Sequence, residues 1–206
     1  MDIKTHYDLL MEENNDPFRD PPALRKHMET WDGPAFLELM ELDPSKTVLE
    51  IGVGTGRLAE KTAGRCRHLT GIDLSPKTIE RARENLRDFQ NISLICGDFP
   101  VYPFQEQFDV IYSSLTMMHF RDKQAVIRKI SALLKAGGLF CLSIDKNRSE
   151  WIDMGNRSIR IYPDTPERII PLAEQAGLKI RKTAGVENAA LLAFMKTACG
   201  GNGFLI

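Results

Sequence analysis

The chain has 206 residues, is 43% hydrophobic, and carries 27 Lys and Arg against 28 Asp and Glu, a formal charge of −1. That is enough length for one core, and the balanced charge offers no general attraction to nucleic acid or to an anionic membrane. The cysteines at 66, 96, 141 and 199 are scattered, with no Cys-x-x-Cys pair and no histidines at ligand spacing, so reduced thiols in a cytoplasmic protein are expected and a metal site is not. No signal peptide and no membrane span are expected, since the N-terminus has no apolar core and no run of eighteen apolar residues occurs.

Residues 1–44 read as two or three short helices punctuated by Asp16-Pro17 and Asp20-Pro21-Pro22, with apolar positions such as Leu9, Leu10, Phe18, Leu24, Met28, Trp31 and Phe36. Such a segment cannot fold alone and is expected to pack on the rest as a cap. The main body begins near residue 45. Val48-Leu49-Glu50-Ile51 is an apolar run ending in Gly52-Val53-Gly54-Thr55-Gly56-Arg57, and three alternating glycines allow positive φ and close approach to a ligand. The turn is built to hold a nucleoside cofactor. The dinucleotide fingerprint requires Gly-x-Gly-x-x-Gly. Here the last small position is filled by Arg57, the third glycine comes one place early, and Glu50 would repel a pyrophosphate. An acid there suits a cationic ligand or one bearing an ammonium group.

The run 67–75 is a short strand ending in Asp73, 17 residues after Gly56, where a carboxylate can accept from two ribose hydroxyls. Ser75-Pro76 opens a helix whose Ile79, Ala82 and Leu86 share one face. Further strands are expected at Ile92–Phe99, Phe108–Ser114 and Gly137–Asp145, with a helix from about Lys123 to Lys135 that ends on the Gly137-Gly138 pair. Thr165-Pro166 starts a helix running to Gly177. Two strands follow, 178–184 and 189–196, whose four-residue link forces an antiparallel pair. Residues 198–206 are expected to be a loose tail.

The acid-x-Gly-x-Gly-x-Gly motif at Glu50, Gly52, Gly54 and Gly56, together with Asp73, Gly97-Asp98-Phe99 and the Lys-x-Gly-Gly before the fifth strand, resembles the class I S-adenosylmethionine-dependent methyltransferases over about residues 46–196. The resemblance implies an α/β, doubly wound, Rossmann-like sheet of seven mostly parallel strands with a C-terminal antiparallel hairpin and an N-terminal helical cap, in a single domain. It implies S-adenosyl-L-methionine as cofactor, with Asp98 meeting the adenine amino group and Phe99 walling the ring, and it adds Leu74, Gly97 and Ser113 to the pocket. N-terminal helices lid the cofactor in related enzymes, which makes Tyr7, Phe18 and Trp31 lid candidates beside the alternative that they are plain core.

Methyl transfer from a sulfonium demands alignment more than a particular catalytic group. His119, in Ser113-Ser114-Leu115-Thr116-Met117-Met118-His119, is the histidine near the expected site and is a candidate base, or else a structural one. The Asn-Pro-Pro-Tyr type motif of amino-group methyltransferases is absent from this place. The segment 146–164 carries Arg148, Trp151, Met154, Arg157 and Arg160, which suit a small anionic acceptor or, equally, a solvated face. The expected activity is methyl transfer to a small organic metabolite. A nicotinamide-dependent oxidoreductase, a non-catalytic cofactor-binding module, and a methyltransferase acting on RNA or protein stay open.

Overall fold

The structure, a computed structural model, describes residues 1–197; the expected tail at 198–206 lies outside the described residues. Three helices come first, α1 (Ile3–Glu12), α2 (Pro22–Asp32) and α3 (Pro34–Leu39). An alternation follows of β1 (Thr47–Ile51), α4 (Arg57–Ala63), β2 (His68–Asp73), α5 (Pro76–Asn85), β3 (Ile92–Cys96), β4 (Phe108–Ser114), α6 (Lys123–Leu133) and β5 (Leu134–Asp145). A small ribbon of β6 (Trp151–Asp153) and β7 (Ser158–Arg160) precedes α7 (Pro166–Gln175), β8 (Leu178–Gly185) and β9 (Ala189–Lys196).

The seven-stranded sheet has the order β3-β2-β1-β4-β5-β9-β8. Neighbours from β3 to β5 are parallel, and β9 runs antiparallel to both β5 and β8, so one strand is reversed. This is the expected Rossmann-like sheet with its terminal hairpin. Alternation along the central strands supplies two cores. Val48, Val110, Tyr112, Cys141 and Leu191 face α3 and α4, whereas Leu49, Ile51, Ile111, Phe140 and Phe194 face α6 and α7.

Local capping explains the helix starts. Ser75 Oγ accepts from Thr78 N and Thr165 Oγ1 from Arg168 N, each with a proline in the first turn, while Asp2 accepts from Thr5 N and Asp122 from Ala125 N. The helix expected to reach Lys135 stops at Leu133, because Leu134 is already extended and pairs with Phe108. Gly137, at φ +75°, instead serves a shift in register between Phe108 and Val110, and the strand is longer than expected at its start. The cap lies where it was expected: Ser75 Oγ donates to Asp8 of α1 at 2.7 Å, and Ser143 Oγ donates to the Trp31 carbonyl at 2.7 Å.

The sheet order reverses at β1, with β2 on one side and β4 on the other, so a crevice opens beyond the carboxyl ends of β1 and β4. No described helix is long and apolar enough to cross a membrane.

Candidate active site

That crevice is a cavity of about 480 Å³, within the range of small-molecule sites. Its floor is the turn after β1. Gly52, at φ +78°, has its amide donating to the Ile72 carbonyl, and a Cβ there would stand 2.0 Å from Thr116 Oγ1. Gly54, at φ +55°, is different: a Cβ built on it meets nothing within 4 Å, so the glycine leaves a cradle open beside the cavity it lines.

Of the expected cofactor residues, Glu50, Gly52, Gly54, Asp73, Leu74, Gly97, Asp98 and Phe99 all line this one cavity, and His119 lines it too. Two do not. Gly56, at φ +97°, caps α4 and lies under Leu86, whose Cδ1 would be 2.6 Å from a Cβ, so its small size serves the packing of α5 against the turn. Ser113 is fully buried and donates to the Ile51 carbonyl at 3.3 Å; its neighbour Ser114 is the wall residue. Strand alternation explains the swap.

Glu50 is 3% exposed, and the Tyr112 hydroxyl donates to it at 2.7 Å. Burial pushes its pKa up to about 8, against the opposing pull of the Tyr112 hydrogen bond and the Arg57 charge. Asp73 accepts from Gly54 N and from Ser75 N, both at 3.0 Å, so its carboxylate orders the glycine turn as well as facing the cavity. Burial raises its pKa, and those backbone donors oppose the rise. These groups suit S-adenosylmethionine: three acids for an ammonium, a ribose and an adenine amino group, and an unfilled glycine cradle for the ligand backbone.

Over the cavity lies α1, which contributes Ile3 and Tyr7 to its lining. The Tyr7 hydroxyl is 2.8 Å from His119 Nε2, in the short 3-10 turn Met117–His119 after β4. Burial pushes the Tyr7 pKa well up, and the nearby Asp73 charge adds to the effect. Burial, with Lys123 and His6 adding to it, takes His119 down to about 4, so the imidazole is neutral near pH 7. Its Nδ1 is buried with no hydrogen-bond partner among the described residues. Lys123, itself buried, holds the turn by donating to the Met117 carbonyl and by pairing with Asp164 at 2.8 Å. Of the other lid candidates, Phe18 and Trp31 pack against the core, and Pro17 and Met28 reach the lining in their place.

None of Arg148, Arg157 and Arg160 lines the cavity. Arg148 donates to the carbonyls of Asp145 and Asp164, Arg160 pairs with Glu150, and Arg157 pairs with Glu13 and reaches His6 Nδ1 at 3.4 Å. Of the two readings open for these arginines, an anion clamp and a solvated face, the clamp finds no support in the cavity lining; Arg157 instead latches the β6–β7 ribbon onto α1. Residues that the sequence did not single out also line the site, among them Thr116 and Ser114.

The fold, the glycine turn and the acids at three successive strand ends are those expected of a class I S-adenosylmethionine-dependent methyltransferase, and the comparisons support that family. A family model described as a methyltransferase domain matches residues 48–138. The ubiquinone biosynthesis O-methyltransferase of Aeromonas salmonicida is 28% identical over 163 residues, covering 71% of this chain and 68% of that protein. Nodulation protein S of Sinorhizobium fredii is 31% identical over 113 residues, but the match spans only 52% of each. The crystal structure of the N-methyltransferase NodS from Bradyrhizobium japonicum, in complex with S-adenosyl-L-homocysteine, shares the fold at TM-score 0.69 and 21% identity, covering 88% of this chain and 91% of that one.

Proposed function

We propose that the protein transfers a methyl group to the oxygen or nitrogen of a small organic acceptor without a strong negative charge. The observation that carries this reading is the Tyr7–His119 hydrogen bond at the wall of the cavity, because it puts a proton acceptor and a lid residue at one place. When bound, S-adenosylmethionine supplies the methyl group on a sulfonium, an excellent leaving group. The chain's own residues do the rest. Glu50 takes the ammonium, Asp73 the ribose hydroxyls, and Asp98 the adenine amino group, with Phe99 against the ring. Tyr7 donates to His119 Nε2 and leaves an oxygen lone pair to accept the acceptor's O–H or N–H proton, which His119 then holds. α1, which lines the cavity with Ile3 and Tyr7, covers part of the site and limits its exposure to water.

The relatives support a small acceptor: one is named for a step in ubiquinone biosynthesis and another is an N-methyltransferase. An anionic acceptor loses its support once the three arginines are placed elsewhere. Residues 1–197 read as one domain in which the first 44 are the lid. The free thiols of Cys66, Cys96 and Cys141 support a cytoplasmic setting. The test is a mass-spectrometric turnover assay with labelled cofactor against pooled phenols, carboxylic acids, amines and RNA. Product from the phenol or amine pool supports the reading, and product only from RNA or from the acids overturns it.

A further inference from the structure

Among the described residues, three that are not glycine have a left-handed backbone: Asn14 at φ +61°, Glu41 at φ +46° and Leu115 at φ +54°. Asn14 and Glu41 each come directly after the residue that caps α1 or α3, where helices commonly end in this conformation. Leu115 has no such local reason. It follows β4, a strand, and its side chain has no polar atom with which to bond its own backbone. Its neighbours impose the conformation instead. Ser114 Oγ donates at 2.6 Å to Asp32, which is 0% exposed and pairs with Arg57 through both oxygens. Thr116 Oγ1 donates at 3.1 Å to the Ser114 carbonyl, across Leu115, and Thr116 fills the space that a Cβ at position 52 would need. Strain held by tertiary contacts at the wall of a cavity points to function.

We infer that Leu115 is a specificity-determining residue for the acceptor: its side chain partitions the main cavity from a small pocket beyond the ends of β4 and β5, and so confines the acceptor to the main cavity. The inference rests on the small acceptor proposed above and adds what limits its reach. Leu115 and Thr116 are the two residues that line both spaces. The pocket holds about 20 Å³, room for a single water-sized group. Its polar side chains are mainly acceptors. Asp164 is buried, takes Lys123 on Oδ2 at 2.8 Å and has Oδ1 without a partner among the described residues. Ser143 and Thr116 have committed their hydroxyl protons to the carbonyls of Trp31 and Ser114. Asp145 adds a second carboxylate and Asn147 an amide. A group seated there is one that donates hydrogen bonds, as an amine or a hydroxyl does. Shortening Leu115 joins the two spaces, so the variant should take acceptors that carry such a donor on a side branch and that the native chain turns away.

Turnover of labelled S-adenosylmethionine with the phenol and amine pools, each member paired with its aminomethyl and hydroxymethyl derivatives, measures the partition. The ratio of derivative product to parent product should rise about 10-fold or more from wild type to Leu115→Gly, the scale on which one group's worth of pocket space discriminates. Leu115→Ala should raise it too, and covers a glycine variant that fails to fold. Thermal melts read the strain separately. Both variants lose the leucine side chain, but glycine alone relieves the backbone, so Leu115→Ala should melt below Leu115→Gly. A ratio unchanged in both variants overturns the inference, as does an alanine variant at least as stable as the glycine one. No product from either pool with wild type or variants would remove the small-acceptor reading together with the inference.

Discussion

The Tyr7 hydroxyl meets His119 Nε2 at 2.8 Å, joining the first helix to the turn after β4 across 112 residues of sequence. Tyr7→Phe should therefore loosen the lid without emptying the cavity. We expect thermal stability to fall by about 0.5 to 1.5 kcal/mol, the net worth of one hydrogen bond. Turnover should fall by about 10- to 100-fold, and the Kd for S-adenosylhomocysteine should change little. Stopped assays and calorimetry on one preparation check both numbers.

His119 also predicts a pH dependence of stability. Its pKa is about 4 in the folded chain against an ordinary 6.5, so between these values the unfolded chain holds the proton and the folded chain does not. The contribution is present above pH 6.5 and is lost as the pH falls through 4. His119→Gln should flatten this part of the melting-temperature profile, and an unchanged slope would assign the loss to other groups, such as the likewise lowered His6.

Glu50 has the opposite sign. With its pKa raised from 4.5 to about 8, it is protonated at pH 7 in the ligand-free protein, and its contribution to stability fades as the pH rises through 8. An ammonium arriving beside it should drive the proton off. Titrating S-adenosylhomocysteine at pH 7 in buffers of different ionisation heat should show proton release approaching one per site, and Glu50→Gln should abolish it.

Two glycines of the same turn should respond differently to alanine. Gly52→Ala places a methyl 2.0 Å from Thr116 Oγ1 at a positive φ, and should cost roughly 2 kcal/mol or more. Gly54→Ala meets no protein atom within 4 Å, so it should fold with a loss of about 1 to 2 kcal/mol from its left-handed backbone while its Cβ encroaches on the ligand. Denaturant melts and ligand titrations on the two variants separate the effects.

Asp73→Ala should weaken S-adenosylhomocysteine binding by roughly 1.5 to 3 kcal/mol. Because Asp73 also accepts from Gly54 N and Ser75 N, the same variant should raise amide exchange in the turn 52–56. An unchanged Kd would put the ribose elsewhere.

The strand-end acids were legible because each closes an apolar run at a fixed distance from the glycine turn, and the sheet's chirality rules then bring them to one edge. The terminal hairpin was legible from its short link alone. Gly56 and Ser113 show the limit of a motif: it locates a turn and a strand end, but which neighbour faces the ligand depends on the packing of Leu86 and on strand phase. The β6–β7 ribbon escaped detection because three-residue strands around Gly155 carry too little alternation to register. The Arg57–Asp32 pair left a trace only as a residue too large for its place, since its partner sits on a separate helix 25 residues earlier.

The roof of the site is the first helix, whose cap is Asp2 and whose first residue, Ile3, already touches the cavity. An affinity handle or fusion partner attached just ahead of this helix would therefore hang beside the roof itself. Kinetic work on this enzyme calls for a carboxyl-terminal handle or for a scarless amino terminus, and a difference in turnover between the two preparations would measure how tightly the roof governs exchange.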